Sequence, residues 1–199
     1  TPSLATGGTF STSNYDITYT AGALTVNQRA LTITSDAQST TYGTALVLGT
    51  SGYTSSGLVN SDSITSVTLK QGTRTTVPAT QSAGTYSGST DGILASAAQG
   101  TGLSNYSITY VPGTLTINQK ALTITANNNS KTYGDTLTFG SGSSAFTSSG
   151  LVNSETIGSV TVTDTNSGGV NTAAAGGTYA LTPSLATGGT FSTSNYDIT

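Results

Sequence analysis

Residues Asn105–Asn127 read NYSITYVPGTLTINQKALTITAN: a strand, a turn, a second strand, a short link and a third strand. Leu115 and Ile117, then Leu122 and Ile124, alternate with polar residues, which is the period-two mark of strands with one buried face. The same pattern stands earlier at Asn14–Ser35, NYDITYTAGALTVNQRALTITS. Tyr15 and Tyr106 are 106 − 15 = 91 residues apart, and so are Gln28 and Gln119. A fixed period of this length marks a chain built from repeated modules.

A second, longer period is also present. Residues 1–18 and 182–199 are identical, TPSLATGGTFSTSNYDIT, at an offset of 182 − 1 = 181. The full period is therefore a pair of unlike modules, and the chain reads as one such period with an 18-residue overlap, a window on a longer tandem array. On this reading residues 1–28 are the closing strands of a preceding module, with Leu24 and Val26 in its last strand. Residues 29–119 form the first complete module. Residues 120–199 form a second module that lacks its last strand, the piece that residues 19–28 contain.

The apolar positions change phase at each expected boundary. Leu24 and Val26 fall on even numbers and Leu31 and Ile33 on odd ones, and Leu115/Ile117 against Leu122/Ile124 repeats the change. In a straight strand these pairs would face opposite ways. The links Asn27, Gln28, Arg29 and Asn118, Gln119, Lys120 are thus expected to pass the chain from one core to the next, too short to act as flexible linkers.

Composition supports strands and excludes several function classes. Apolar residues make up 34% of the 199 residues and charged residues 7%, well below the roughly 25% charge of ordinary globular chains. Disorder is not implied, because Thr, Val, Ile and Tyr suit a pleated, half-buried surface. The five basic residues, Arg29, Lys70, Arg74, Lys120 and Lys131, are scattered and the net charge is −3. Nothing here would neutralise a phosphate backbone, so no nucleic-acid partner is expected. No run of about 18 apolar residues occurs, so no membrane insertion by a helix is expected. Cys and His are absent, which removes disulfides, thiolates and the commonest catalytic base. The Ser and Thr clusters read as turn residues. No enzyme activity and no cofactor are expected.

Other candidates for chemistry have ordinary readings. Asp62 and Glu155 are the best-matched acids of the two modules, and each reads as a loop carboxylate accepting backbone N–H bonds. Asp36, Asp91, Asp135 and Asp164 are isolated in sequence, unlike the clustered acids of calcium loops. Lys120 and Lys131 are of the type that forms isopeptide crosslinks, but Arg29 and Thr40 stand at the matching places of the other module, so surface lysines are expected. Tyr15, Tyr42, Tyr86, Tyr106, Tyr133 and Tyr179 recur at repeat positions and read as packing residues in a core without Trp, with sugar stacking as the rival use.

Turns complete the plan. Tyr42-Gly43 and Tyr133-Gly134 read as turns. Ser55–Asn60 reads as a tight loop or a single helical turn. Val111-Pro112-Gly113 reads as a hairpin turn of type II, with Gly113 at positive φ. Ala95–Ala98 is too short for a stable helix.

Lys131-Thr132-Tyr133-Gly134-Asp135, together with Gly150-Leu151-Val152-Asn153, Gly177-Thr178-Tyr179 and Gly113–Ile117, resembles the MBG/YDG-type repeats of large bacterial surface proteins, among them filamentous-haemagglutinin-like adhesins. The first module departs from the motif, with Thr40 and Thr44 for Lys131 and Asp135. The resemblance covers nearly the whole chain. It implies a secreted or cell-surface location, a place in extracellular fibres, stalks or biofilm matrix, and no catalytic residues.

The expected fold is all-β: tandem elongated β-modules, either Ig-like sandwiches or a β-grasp-like variant, with strand order open. The expected partners are neighbouring repeats of the same chain. Head-to-tail self-association through residues 1–28 and binding of surface glycans are further expectations.

Overall fold

Leu31 and Ile33 are buried and their neighbours Ala30, Thr32 and Thr34 are not, as the alternation requires. The computed structural model describes residues 2–199. Its first half holds β1 (Arg29–Ser35), β2 (Gln38–Thr41), β3 (Leu46–Val47), β4 (Tyr53–Ser56), β5 (Ile64–Gln71), β6 (Thr76–Val77) and β7 (Gly84–Tyr86). The one-turn helix α1 (Gly88–Asp91), β8 (Ile93–Gly100), β9 (Tyr106–Val111) and β10 (Leu115–Asn118) complete that half. The second half holds β11 (Lys120–Ala126), β12 (Phe146–Ser149), β13 (Ile157–Asp164), β14 (Leu181–Gly189) and β15 (Tyr196–Ile198). The protein is all-β, built of several small sheets.

The sheets of the first module have the orders β4-β1-β9, β2-β10-β7, β3-β6 and β5-β8. Two of the ladders are parallel. β1 runs beside β9 from Arg29↔Tyr106 to Thr34↔Val111, and β2 runs beside β10 from Gln38↔Leu115 to Thr41↔Asn118. The segments β1–β2 and β9–β10 thus leave one sheet and enter the next side by side, passing each other near Asp36 and Gly113. The hairpin expected at Val111–Gly113 is not formed, since β9 and β10 belong to different sheets. Gly113 does not take a positive φ either. Its N–H and C=O exchange bonds with Ile93 at 2.8 and 2.9 Å, and a Cβ there would stand 2.5 Å from Ser35 O. Close backbone approach, not turn geometry, is what this glycine permits.

One buried cluster runs through both halves, and its members from the first include Leu31, Ile33, Val67, Leu69, Val77, Ile93, Leu115 and Ile117. Each such side chain, fully buried, contributes about 1.5–3 kcal/mol. Ala95–Ala98 lies within β8, where α-helix is not formed.

The second module repeats the plan with β12-β11-β15 and β13-β14. Leu122, Ile124, Val160 and Val162 take the places of Leu31, Ile33, Val67 and Leu69, at offsets of 91 and 93. No counterpart of the β2-β10-β7 sheet forms among the described residues.

Residue 1 of the expected N-terminal segment lies outside the described residues. Residues 2–28 contain a 3-10 turn at Thr12–Asn14 and no strand, so the strand expected at Leu24–Val26 is absent. The reason is physical: a strand exists only in a ladder, and nothing in this chain flanks Leu24 and Val26 as β2 and β7 flank β10. Their side chains are 90% and 88% exposed.

Candidate functional site

Two places bring positioned polar and aromatic groups together: the contact between the modules and a groove in the second module. The contact begins with a turn. Asn153 and Ser154 both have positive φ, and Glu155 N–H bonds to Val152 O at 3.0 Å, the arrangement of a type I′ turn, which Asn tolerates. Asn60 and Ser61 do the same in the first module, with Asp62 N–H on Val59 O at 3.0 Å. The sequence Ser55–Asn60 therefore holds a strand end and a left-handed turn instead of a helical turn. This turn carries an acid at its exit in each module, Asp62 or Glu155.

Glu155 accepts from two tyrosines of different modules. Tyr42 Oη–H donates to Glu155 Oε1 at 2.6 Å, and Tyr196 Oη–H donates to Glu155 Oε2. In the first module Tyr106 Oη–H donates to Asp62 Oδ2 at 2.8 Å. The expectation that these carboxylates serve backbone N–H groups is corrected: the half-buried acids accept charge-assisted bonds from buried tyrosines. Burial, and after it the bond to Glu155, pushes the Tyr42 hydroxyl above its ordinary value, and the same causes raise Tyr196 to about 12.

Around this centre the modules interlock. Asn195 Oδ1 accepts from Ala83 N–H at 2.9 Å, and Asn153 Nδ2 donates to Ala79 O at 3.3 Å. Gly43, at φ +87°, packs so close that a Cβ would stand 2.6 Å from Val152 Cγ2. One residue, Gln119, separates Asn118 at the end of β10 from Lys120 at the start of β11. Gln119 Nε2 donates to Ser194 O, and Gln28 Nε2 donates to Ser104 O, both at 3.0 Å. Asn27 is exposed, and Arg29 Nε donates to Gly57 O at 2.9 Å.

The repeat tyrosines fall into two groups. Tyr42 and Tyr106 are buried, and Tyr86 is half-buried in β7 opposite Leu115. Tyr133, the counterpart of Tyr42, is 65% exposed, and Tyr15 is also exposed. The packing expectation therefore fails for these two. Tyr133 follows the Tyr42-Gly43 design with no module packed against it, and Gly134, at φ +95°, has nothing within 4 Å of a Cβ position.

The groove has a volume of about 780 Å³ and is lined by Lys131, Tyr133, Leu137, Phe139, Tyr179 and Leu181, among others. Lys131 Nζ donates to Asp135 O at 3.2 Å and Val170 O at 2.8 Å. Thr40 Oγ1 donates to Thr44 O at 3.3 Å in the first module, so the two residue types perform one local task, closing the Tyr-Gly turn. Asp164 Oδ2 accepts from Gly169 N–H at 2.5 Å, and that bond holds its carboxyl below the usual carboxylate range.

Sequence reasoning missed Val152, Glu155, Asn195 and Tyr196 as junction residues. A usable signal existed, because the acid follows Gly-Leu-Val-Asn at the same interval in both modules and Asn-Tyr recurs at 105–106 and 195–196. A family model described as MBG domain (YGX type) matches residues 31–116 and again residues 122–199. No curated protein and no solved structure matches the chain.

Proposed function

Since the chain belongs to the MBG domain family (YGX type), as two tandem copies, we propose that it is a structural repeat of a bacterial cell-surface or matrix adhesin. In this reading the modules form a stalk or fibre that projects a distal binding region outside the cell. Asn27, Gln28, Arg29, Asn118, Gln119 and Lys120 act as its junction residues, and Tyr42-Gly43 and Tyr133-Gly134 as its docking turns. The protein performs no chemistry. Its work is to hold a distance.

The observation that carries this reading is the seating of Tyr42-Gly43 on Val152, Glu155 and Tyr196 across a one-residue link. A junction packed in that way resists bending, and modules joined in series give a length set by copy number. Small-angle X-ray scattering of the chain tests it. A rod-like profile with one intermodule angle is expected over residues 29–199, and a broad distribution of angles removes the stalk.

A glycan-binding role has one observation in its favour, the concave groove with Tyr133 and Tyr179 on its wall. The matching place in the first module is filled by β10, which makes the groove a poor ligand site for a repeated module. A glycan array carrying the isolated chain distinguishes the two, since reproducible hits favour the rival.

A further inference from the structure

The contact between the modules holds two tyrosines placed for a chemistry that the composition leaves to no other residue type. The chain has ten tyrosines and no Cys, Met, Trp or His. When an oxidant takes an electron from this protein, tyrosine is therefore the side chain that gives it. A phenol that loses an electron becomes a strong acid, so the loss is easiest where a base already holds the proton.

Hydrogen bonding sorts the tyrosines on that ground. Tyr53, Tyr86 and Tyr179 donate to backbone carbonyls, those of Ile64, Ser82 and Ala174, which are poor proton acceptors. Three tyrosines donate to a carboxylate: Tyr42 and Tyr196 to Glu155, and Tyr106 to Asp62. Among the described residues Glu155 alone collects two phenols, one on each oxygen. The rings of Tyr42 and Tyr196 are also the only two tyrosine rings in aromatic contact among the described residues, with centroids 5.5 Å apart and planes at 81°. Because both hydroxyls end on one carboxylate, the ring carbons beside them converge. The two rings of a biaryl also stand at a steep angle, so joining this pair asks for closer approach more than for reorientation.

We propose that Tyr42 and Tyr196 form a dityrosine site, at which an outer-sphere one-electron oxidant joins the two modules through a carbon–carbon bond. Each phenol gives one electron to the oxidant and its proton to Glu155, which is half-buried and passes the proton on to water. The two phenoxyl radicals then combine at their Cε carbons. The hydrogens on those carbons move to the oxygens and restore both hydroxyls. In all, two electrons go to the oxidant and two protons to solvent, two C–H bonds break and one C–C bond forms. The rings are 4% and 2% exposed, so the oxidant draws electrons across a short distance and does not touch them. The same burial keeps each radical from meeting a second molecule, and the contact replaces a chance encounter. The bond closes a long loop of chain, as a disulfide would in a protein that had cysteine. It does not depend on what the modules carry, so it stands apart from the stalk reading.

The experiment is photo-oxidation of the dilute native chain with ruthenium tris-bipyridyl and persulfate, followed by proteolysis and tandem mass spectrometry. A monomer lighter by two hydrogen atoms is expected, with dityrosine fluorescence and one dominant crosslinked pair, Tyr42 to Tyr196. Tyr42→Phe and Tyr196→Phe are each expected to remove that pair. Glu155→Gln still accepts a hydrogen bond but is no base, and is expected to slow formation of the pair by about 10-fold or more. The peptide map of the native chain decides the site even where a variant fails to fold. No dityrosine, dityrosine chiefly between other tyrosines, or dityrosine chiefly between molecules each overturns the proposal. So does an undiminished yield in either phenylalanine variant, or an unchanged rate in Glu155→Gln.

Discussion

Tyr42 and Tyr196 belong to different modules and meet edge to face, their ring centroids 5.5 Å apart and their planes at 81°. Both hydroxyls end on the carboxylate of Glu155, so one acid fixes two rings across a boundary. Glu155→Ala leaves two buried tyrosines without the acceptor of their hydroxyls. Bonds to a charged group are worth about 1.5–3 kcal/mol, and a loss of that order is expected in denaturant unfolding of the coupled modules. Glu155→Gln, which still accepts, should recover part of it.

The same site predicts a weakness in alkali. The Tyr196 hydroxyl titrates at about 12 in the folded protein, raised from 10.0 first by burial and then by Glu155. A raised folded value means that the contribution to stability is fully present below pH 10 and is lost as pH climbs toward 12. Tyrosinate absorbance followed against pH should show a late step near 12, absent in Tyr196→Phe, with unfolding in the same window.

Gly43 and Gly134 form a matched pair for measuring the junction itself. Both take a left-handed φ, +87° and +95°, but only Gly43 has a neighbour in the way, Val152. Gly→Ala at either place costs about 1–2 kcal/mol for the backbone. Gly43→Ala should lose about 1–3 kcal/mol more from overpacking. Equal melting temperatures for the two variants would mean that the modules do not press on each other in solution.

Leu115 and Leu24 occupy equal places in the repeat and opposite environments, 0% and 90% exposed. Leu115→Ala is expected to destabilise the first module by about 2–5 kcal/mol. Leu24→Ala should leave the stability of the dilute chain within about 0.5 kcal/mol of the original. Chemical denaturation of both variants checks the pair.

Ser35 is buried at the end of β1 and its hydroxyl has no partner among the described residues. Its counterpart, 91 residues on, is Ala126. Removing a buried, unsatisfied hydroxyl is neutral or favourable, so Ser35→Ala should hold or raise the melting temperature.

The identical stretches at 1–18 and 182–199 separate what the sequence can declare locally from what it cannot. Both fold the same 3-10 turn, at Thr12–Asn14 and Thr193–Asn195, after a serine with nearly the same dihedrals. Only the second forms strands, because β13 and β11 stand ready to pair with it. Tyr15 is consequently exposed and Tyr196 buried. Alternation at Leu31/Ile33 and Leu115/Ile117 disclosed strands and their buried faces, since that pattern is written in each segment. Partner choice was not written there. Val111-Pro112-Gly113 has the composition of a hairpin turn, yet β9 and β10 pair with β1 and β2, across more than 70 residues each. The repeat marks Glu155 as a matched acid, but not what it binds, its partner Tyr42 lying 113 residues away.

The parallel ladders have a mechanical consequence. In the first module the chain enters through β1 and leaves through β10, and each is bonded to a parallel neighbour from the other end of the module. Tension applied at Arg29 and Asn118 would slide these neighbours past one another along their length. Slippage of that kind must break a whole row of hydrogen bonds together, whereas peeling a hairpin breaks them singly. A tether assembled from such units would yield late, at high load, and one unit at a time.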